Sequence, residues 1–153
     1  MVVLFVCTGN TCRSPMAELF FQTELARRGI SGVTVRSAGL AACTNTPISE
    51  NAAQLMAKYN IDSTKFRSTR ATVELLDECD IIITMTGQHK RSLLNALPDL
   101  AEKTFTLLDI SGGGDIPDPF GGNIDNYRAV FDIMRPSLLC WADFIEKENS
   151  NLK

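Results

Sequence analysis

Val2-Val3-Leu4-Phe5-Val6 runs without a break into Cys7-Thr8-Gly9-Asn10-Thr11-Cys12-Arg13-Ser14-Pro15, and that junction decides the fold. The first five residues are a short, continuous, β-rich apolar run, the mark of a strand buried on both faces. From Pro15 to Arg28 the apolar spacing turns helical (Met16, Leu19, Phe20, Leu25), with Pro at an early helical position and Gly29 at the end. Between a strand and a helix start, successive backbone N–H groups and the helix dipole favour an anion. Gly9 and Asn10 tolerate positive φ, which curling the backbone around a phosphate requires. Arg13 offers a planar fork for two phosphate oxygens at once. Cys7 would point into the same cup, where these donors and Ser14 favour its thiolate. Cys-x5-Arg alone is a weak pattern that a plain strand-to-helix turn around a buried cysteine would satisfy. The buried strand before it, the Gly-Asn pair inside it and Ser-Pro opening a helix carry the reading further.

Working outward, strands and helices alternate. Val33–Ser37 reads as a second strand, Pro47–Tyr59 and Arg70–Glu78 as helices, and Asp80–Met85 as a third buried strand. Gln88–Ala96 reads as a helix stopped before Pro98, Thr104–Leu108 as a fourth strand, and Asp125–Glu148 as a final helix. The segment from Ser111 to Gly122 is polar and carries five glycines and two prolines. The expected fold is therefore α/β: a four-stranded parallel sheet with helices on both faces, one domain over 1–153. Ligands bind such sheets beyond the carboxyl ends of the strands. Both the loop after strand one and the glycine-rich segment after strand four should reach that edge.

Bulk properties narrow the function classes. The chain has 153 residues, 44% of them hydrophobic and 22% charged, with a formal net charge of -3. A general nucleic-acid or anionic-membrane binder would carry a basic balance, so neither is an expected partner. No apolar run reaches the roughly 18 to 20 residues of a membrane helix, and the start lacks a basic leader, so a cytoplasmic location is expected; the chain is also expected to be a monomer. Five scattered cysteines resemble neither a disulfide framework nor a zinc site, since only Cys7 and Cys12 are close and the single histidine is His89. Cys79 and Cys140 sit in apolar patterns and are expected to be buried.

The loop resembles the signature of the low-molecular-weight protein phosphatases, Cys-x-Gly-Asn-x-Cys-Arg-Ser-Pro, and matches every defined position. The likeness continues through Ser37-Ala38-Gly39 and Asp118-Pro119. It implies the same four-stranded parallel sheet, a phosphocysteine on Cys7 and a general acid at Asp118, with no metal or other cofactor. The chemistry also asks for an acid: expelling an alkoxide or amide from phosphorus needs a proton donor, and then a base to activate water. Asp115 shares the glycine-rich segment but is expected to be a solvated loop carboxylate; Pro119 stiffens the chain at Asp118. The expected site is thus Cys7, Arg13 and Asp118 for catalysis, with Thr8, Gly9, Asn10, Thr11, Cys12 and Ser14 around the phosphate. Thr11, Leu40 and Phe120 would read the group that carries it, and Ser37 and Pro119 would support the site.

Two features are similar to the bacterial protein arginine phosphatases, a subgroup that acts on phosphoarginine in proteins. Thr11 stands where tyrosine-directed relatives carry an aliphatic residue, and Asp118-Pro119-Phe120-Gly121-Gly122 has one aromatic followed by two glycines instead of paired aromatics. Ile124-Asp125, Tyr127, Met85-Thr86 and Gln88-His89-Lys90 extend the likeness. Phosphoarginine protein is the expected substrate and phosphotyrosine the alternative. Thr11 could also be a small residue that merely fits the turn. One departure stands out: Phe66 occupies the place of a histidine that supports the phosphate loop in many relatives, a task that Asn10, Ser14 and Ser37 could perform among themselves. His89 is expected to be a surface or helix-capping residue without a catalytic role.

Other classes fit less well. An arsenate reductase on this scaffold needs a further cysteine pair after strand three, and Met85-Thr86-Gly87 and the following helix contain none. A non-catalytic phosphoprotein-binding module would have lost Cys7 or Asp118. A phosphatase for small metabolites is not excluded. A reversible Cys7–Cys12 disulfide would shield the nucleophile from over-oxidation, unless Cys12 simply stays reduced.

Overall fold

Val2–Cys7 forms β1, one of the two inner strands of a parallel four-stranded sheet, in a computed structural model that describes residues 1–151. The last two positions of the expected 1–153 domain lie outside the described residues. The strand order is β2-β1-β3-β4, with β2 at Thr34–Gly39, β3 at Ile81–Thr84 and β4 at Thr104–Thr106. β1 pairs in parallel with β2 on one side and β3 on the other, which explains its unbroken apolar run: neither face nor edge meets water.

The alternation along β1 divides the core. Val3, Phe5 and Cys7 face a layer made by α1 (Arg13–Arg27), α2 (Glu50–Lys58) and α5 (Ile124–Asn151). Leu4 and Val6 face the opposite layer, where Leu75 of α3 (Val73–Glu78) and Leu93 of α4 (Gly87–Ala96) pack. On the first side Phe5 meets Phe21 edge-on at 5.3 Å, and Phe131 takes Phe20 and Tyr59 at 5.3 and 5.0 Å. The chain leaves β1 for one face and β3 for the other, so a crevice opens at their carboxyl ends. Cys7 sits at that edge.

Several boundaries move for local reasons. α1 begins at Arg13, not Pro15, which puts Arg13 and Ser14 in its first turn. α2 begins at Glu50 because Ser49 is held extended, its N–H donating to the Thr11 carbonyl at 2.9 Å. α3 begins after Thr72, whose hydroxyl caps the Leu75 N–H at 3.2 Å, while Arg70 bridges Gly39 instead. β4 stops at Thr106, where a capping box with Asp109 turns the chain into a 3-10 helix over Leu107–Ser111. Pro98–Lys103 is also a 3-10 helix. Cys79 is buried as expected, but Cys140 is exposed, because the stripe of α5 facing the core passes through Ser137, Leu138, Trp141 and Ala142. No described helix is long and apolar enough to cross a membrane.

Gly39 is the tightest point of the sheet edge. It pairs with Cys7, and a β-carbon there would lie 2.5 Å from the Thr8 carbonyl oxygen and 3.0 Å from the Asn10 nitrogen. Both atoms belong to backbone that cannot swing aside. Gly39→Ala should therefore lower stability by about 1–3 kcal/mol, read as a lower denaturant midpoint at unchanged slope. An unaltered midpoint would mean that the loop yields freely.

Candidate active site

β1 delivers Cys7 to the edge of the sheet and α1 begins six residues later, so the intervening backbone must curl back on itself. Asn10 makes the turn, with φ of 54°; Gly9 stays outside the left-handed region, so only one of the two expected residues uses that freedom. The first-turn N–H groups of α1, which have no partners within the helix, open toward the same space. The result is a pocket of about 220 Å³ lined by Cys7, the residues from Thr8 to Arg13, Asp118 and Phe120.

The fully buried Asn10 side chain organises the floor. Its Nδ2 donates to Ser14 Oγ at 2.8 Å and to Ser37 Oγ at 2.9 Å, while its Oδ1 accepts from the Thr69 N–H at 2.8 Å. The Ser37 hydroxyl donates to Glu18. The Ser14 hydroxyl, its oxygen already accepting from Asn10, lies 2.8 Å from Cys7 Sγ, and the Asn10 N–H donates to the same sulfur at 3.3 Å. Negative charge on this sulfur would thus be met by fixed donors. Burial raises the Glu18 carboxyl above its ordinary range, with the bond from Ser37 working against that rise. The network closes without any side chain from Phe66, which is simply buried. Neither Glu18 nor the Thr69 N–H carries a signal in the sequence.

Arg13 is buried and tied down from across the crevice. Its Nη1 donates to the Ile116 carbonyl at 2.9 Å, and its Nη2 lies 3.6 Å from Asp118 Oδ2. Ile116 is itself pinned, its N–H donating to the Met85 carbonyl at the end of β3. The glycine-rich segment therefore reaches the site through a fixed point two residues before Asp118. Beyond it, the Phe120 N–H donates to Asp118 Oδ1 at 3.1 Å, Pro119 is buried, and the Gly122 carbonyl accepts from Asn51 at 3.0 Å. The Asp118 side chain remains about half exposed, at 53%, and so can exchange protons with water. Phe120, 78% exposed, stands at the rim. Asp115 is exposed, but it does more than meet solvent: its Oδ1 accepts from the Gly87 N–H at 2.7 Å, at the start of α4.

Cys12 turns away from the network of Asn10. Its sulfur meets Tyr127 Oη at 3.1 Å and Ser49 Oγ at 3.5 Å. Burial, and after it the bond to Cys12, raises the Tyr127 phenol above its ordinary range, so it stays protonated.

Two expectations are corrected. Leu40 does not line this pocket. It follows Ala38 by two residues, and strand alternation sends both to the α3–α4 side, where Leu40 borders a separate groove with Leu76, Leu93 and Leu97. His89 is not on the surface but buried, with Nε2 2.8 Å from Thr8 Oγ1 and Nδ1 3.0 Å from Thr86 Oγ1. Its burial, aided by the Arg13 charge, pushes its pKa down to about 4, so the ring is neutral near pH 7.

The sequence profile described as low molecular weight phosphotyrosine protein phosphatase matches residues 2–151. A protein-arginine-phosphatase of Bacillus subtilis is 38% identical over 150 residues, covering 97% of this chain and 99% of its own. The low molecular weight protein-tyrosine-phosphatase PtpB of Staphylococcus haemolyticus is 35% identical over 133 residues, covering 86% and 91%. A solved structure of the YwlE arginine phosphatase, a cysteine-to-serine mutant with a phosphorylated active-site serine, superimposes with a TM-score of 0.91 at 38% identity, covering 96% of this chain and 97% of that one. A cup built on Cys7 and Arg13 at the carboxyl edge of this sheet agrees with those likenesses across nearly the whole chain: it belongs to the low-molecular-weight phosphotyrosine protein phosphatase family.

Proposed function

We propose that this chain is a cysteine-dependent protein phosphatase acting on phosphoarginine, with Cys7 as nucleophile, Arg13 as phosphate clamp and Asp118 as general acid and then base. The observation that carries the reading is the convergence of these three side chains on one pocket: a sulfur on the floor, a buried guanidinium beside it and a hydrated carboxylate at the rim. Cys7 attacks phosphorus while the loop N–H groups and Arg13 hold the oxygens. Asp118 protonates the leaving nitrogen, then takes a proton from the water that cleaves phosphocysteine. Every proton transfer in this cycle is assigned to a side chain of this chain.

Substrate choice rests on Thr11 and Phe120, which line the pocket without closing it into a slot between two aromatic rings. A hydroxyl at position 11 can orient a guanidinium, and Phe120 is the one aromatic side chain lining the pocket among the described residues. The Bacillus subtilis arginine phosphatase, at 38% identity, supports this choice. Phosphotyrosine is the second reading, favoured by the Staphylococcus haemolyticus tyrosine phosphatase. The requirement for a reduced Cys7 fits a protein working in the cytoplasm.

Turnover by variants and substrate preference test the proposal. Cys7→Ser should abolish turnover while retaining phosphate binding. Asp118→Asn should slow the first step by roughly 10²–10⁴-fold for poor leaving groups and far less for good ones; equal losses on both would remove the acid role. For substrate class, kcat/KM on a phosphoarginine protein should exceed that on a phosphotyrosine peptide, and Thr11→Ile should shift the ratio toward phosphotyrosine. A ratio that Thr11→Ile leaves unchanged would strip that residue of its gatekeeping role.

A further inference from the structure

His89 is buried, neutral and joined to the pocket, yet the cycle above does not use it. Its bonds can be followed proton by proton. The backbone N–H of His89 donates to Thr86 Oγ1 at 3.1 Å, so that oxygen already serves as acceptor at the start of α4. Thr86 then has one proton of its own to give, and Nδ1 of the ring lies 3.0 Å away. A neutral imidazole that accepts at Nδ1 carries its proton on Nε2. That nitrogen lies 2.8 Å from Thr8 Oγ1, which therefore accepts. The Thr8 hydroxyl proton is left without a partner among the described residues, on an exposed side chain that lines the pocket.

The opposite tautomer would send the Thr8 proton to the ring and strand that of Thr86 instead. Electrostatics separates the two. A donor left over at Thr8 would face an anion bound beside Arg13, whereas Thr86 Oγ1 meets no acceptor but Nδ1 among the described residues, the nearby Asp115 carboxylate being bonded to the Gly87 N–H instead. Desolvation, together with the neighbouring Arg13 charge, pushes the His89 pKa down to about 4 and keeps the ring at a single proton near pH 7. The loop thus gains a side-chain donor from the α3–α4 face of the sheet, the side away from the network of Asn10.

We infer that His89 is a positioning residue that fixes the direction of the Thr8 hydroxyl, making Thr8 a side-chain hydrogen-bond donor to the phosphoryl oxygens. This rests on the reading of the pocket as a phosphate site. The test is binding of inorganic phosphate by calorimetry near pH 7, with thermal melts for every variant. Thr8→Val should weaken phosphate by about tenfold, the loss expected for one hydrogen bond to a charged group, and Thr8→Ser should restore it. His89→Leu should weaken phosphate as much in the native background and add nothing in the Thr8→Val background. Imidazole nitrogen spectra should find the ring proton on Nε2. Unchanged affinity in Thr8→Val, equal losses for His89→Leu in both backgrounds, or a proton on Nδ1 would each overturn the inference. If His89→Leu does not fold, Thr8→Val and the nitrogen spectra decide alone. Failure of the phosphatase reading would look different, since phosphate binding needs no turnover: the native chain would bind phosphate yet show no activity that depends on Cys7.

Discussion

The side-chain amide of Asn10 is the constraint on which the site depends. Buried completely and held at a positive φ, it spends its Nδ2 protons on Ser14 and Ser37 and its Oδ1 on the Thr69 N–H. An unpaired polar group at such depth costs about 1–3 kcal/mol, and every partner here belongs to a different turn of the chain. The unusual backbone conformation is therefore held from several directions at once, which is how strained loops persist. A consequence reaches the sulfur: with its oxygen accepting from Asn10, Ser14 has a hydroxyl free to face Cys7.

The second half of the site is hung on Arg13. One nitrogen of the guanidinium is anchored on the Ile116 carbonyl and another lies near Asp118, so a single buried cation sets the distance between the loop after β1 and the proposed acid. Ile116 is in turn pinned to β3. The contrast in exposure follows the division of labour. The guanidinium and the sulfur are buried and fixed, where electrostatic interactions are strong, while Asp118, the proposed acid, is half exposed to water.

Much of the fold was legible because β1 reports its own burial: a strand flanked by two others and covered on both faces has no room for polar residues. The loop after it was legible for a related reason, since its residues act on one another over a few positions. Misreadings came where two segments meet. Leu40 looked like a pocket residue from its place after Ser37-Ala38-Gly39, but the pleat of β2 sends it with Ala38 to the other face. His89 reads as a surface or helix-capping histidine, and it does meet Thr86 at the start of α4, but nothing in Gln88-His89-Lys90 announces that Thr8 lies opposite. Cys140 looked buried because its neighbours are apolar, while the turn of α5 places it outside.

Taken alone, then, the sequence determined the alternation of strands and helices and the strand-to-helix loop that holds Cys7, Asn10 and Arg13, because these rest on short-range backbone geometry; Asp118 as the proposed acid came from a resemblance and from the need for a proton donor. Tertiary structure decided what meets the loop: Glu18 behind Ser37, the Thr69 N–H in place of any side chain from Phe66, Tyr127 on Cys12, and His89 on Thr8. Those contacts join segments up to 115 residues apart. They depend on strand register and on which helix face turns inward, and a slip of one residue would reverse either side of the sheet.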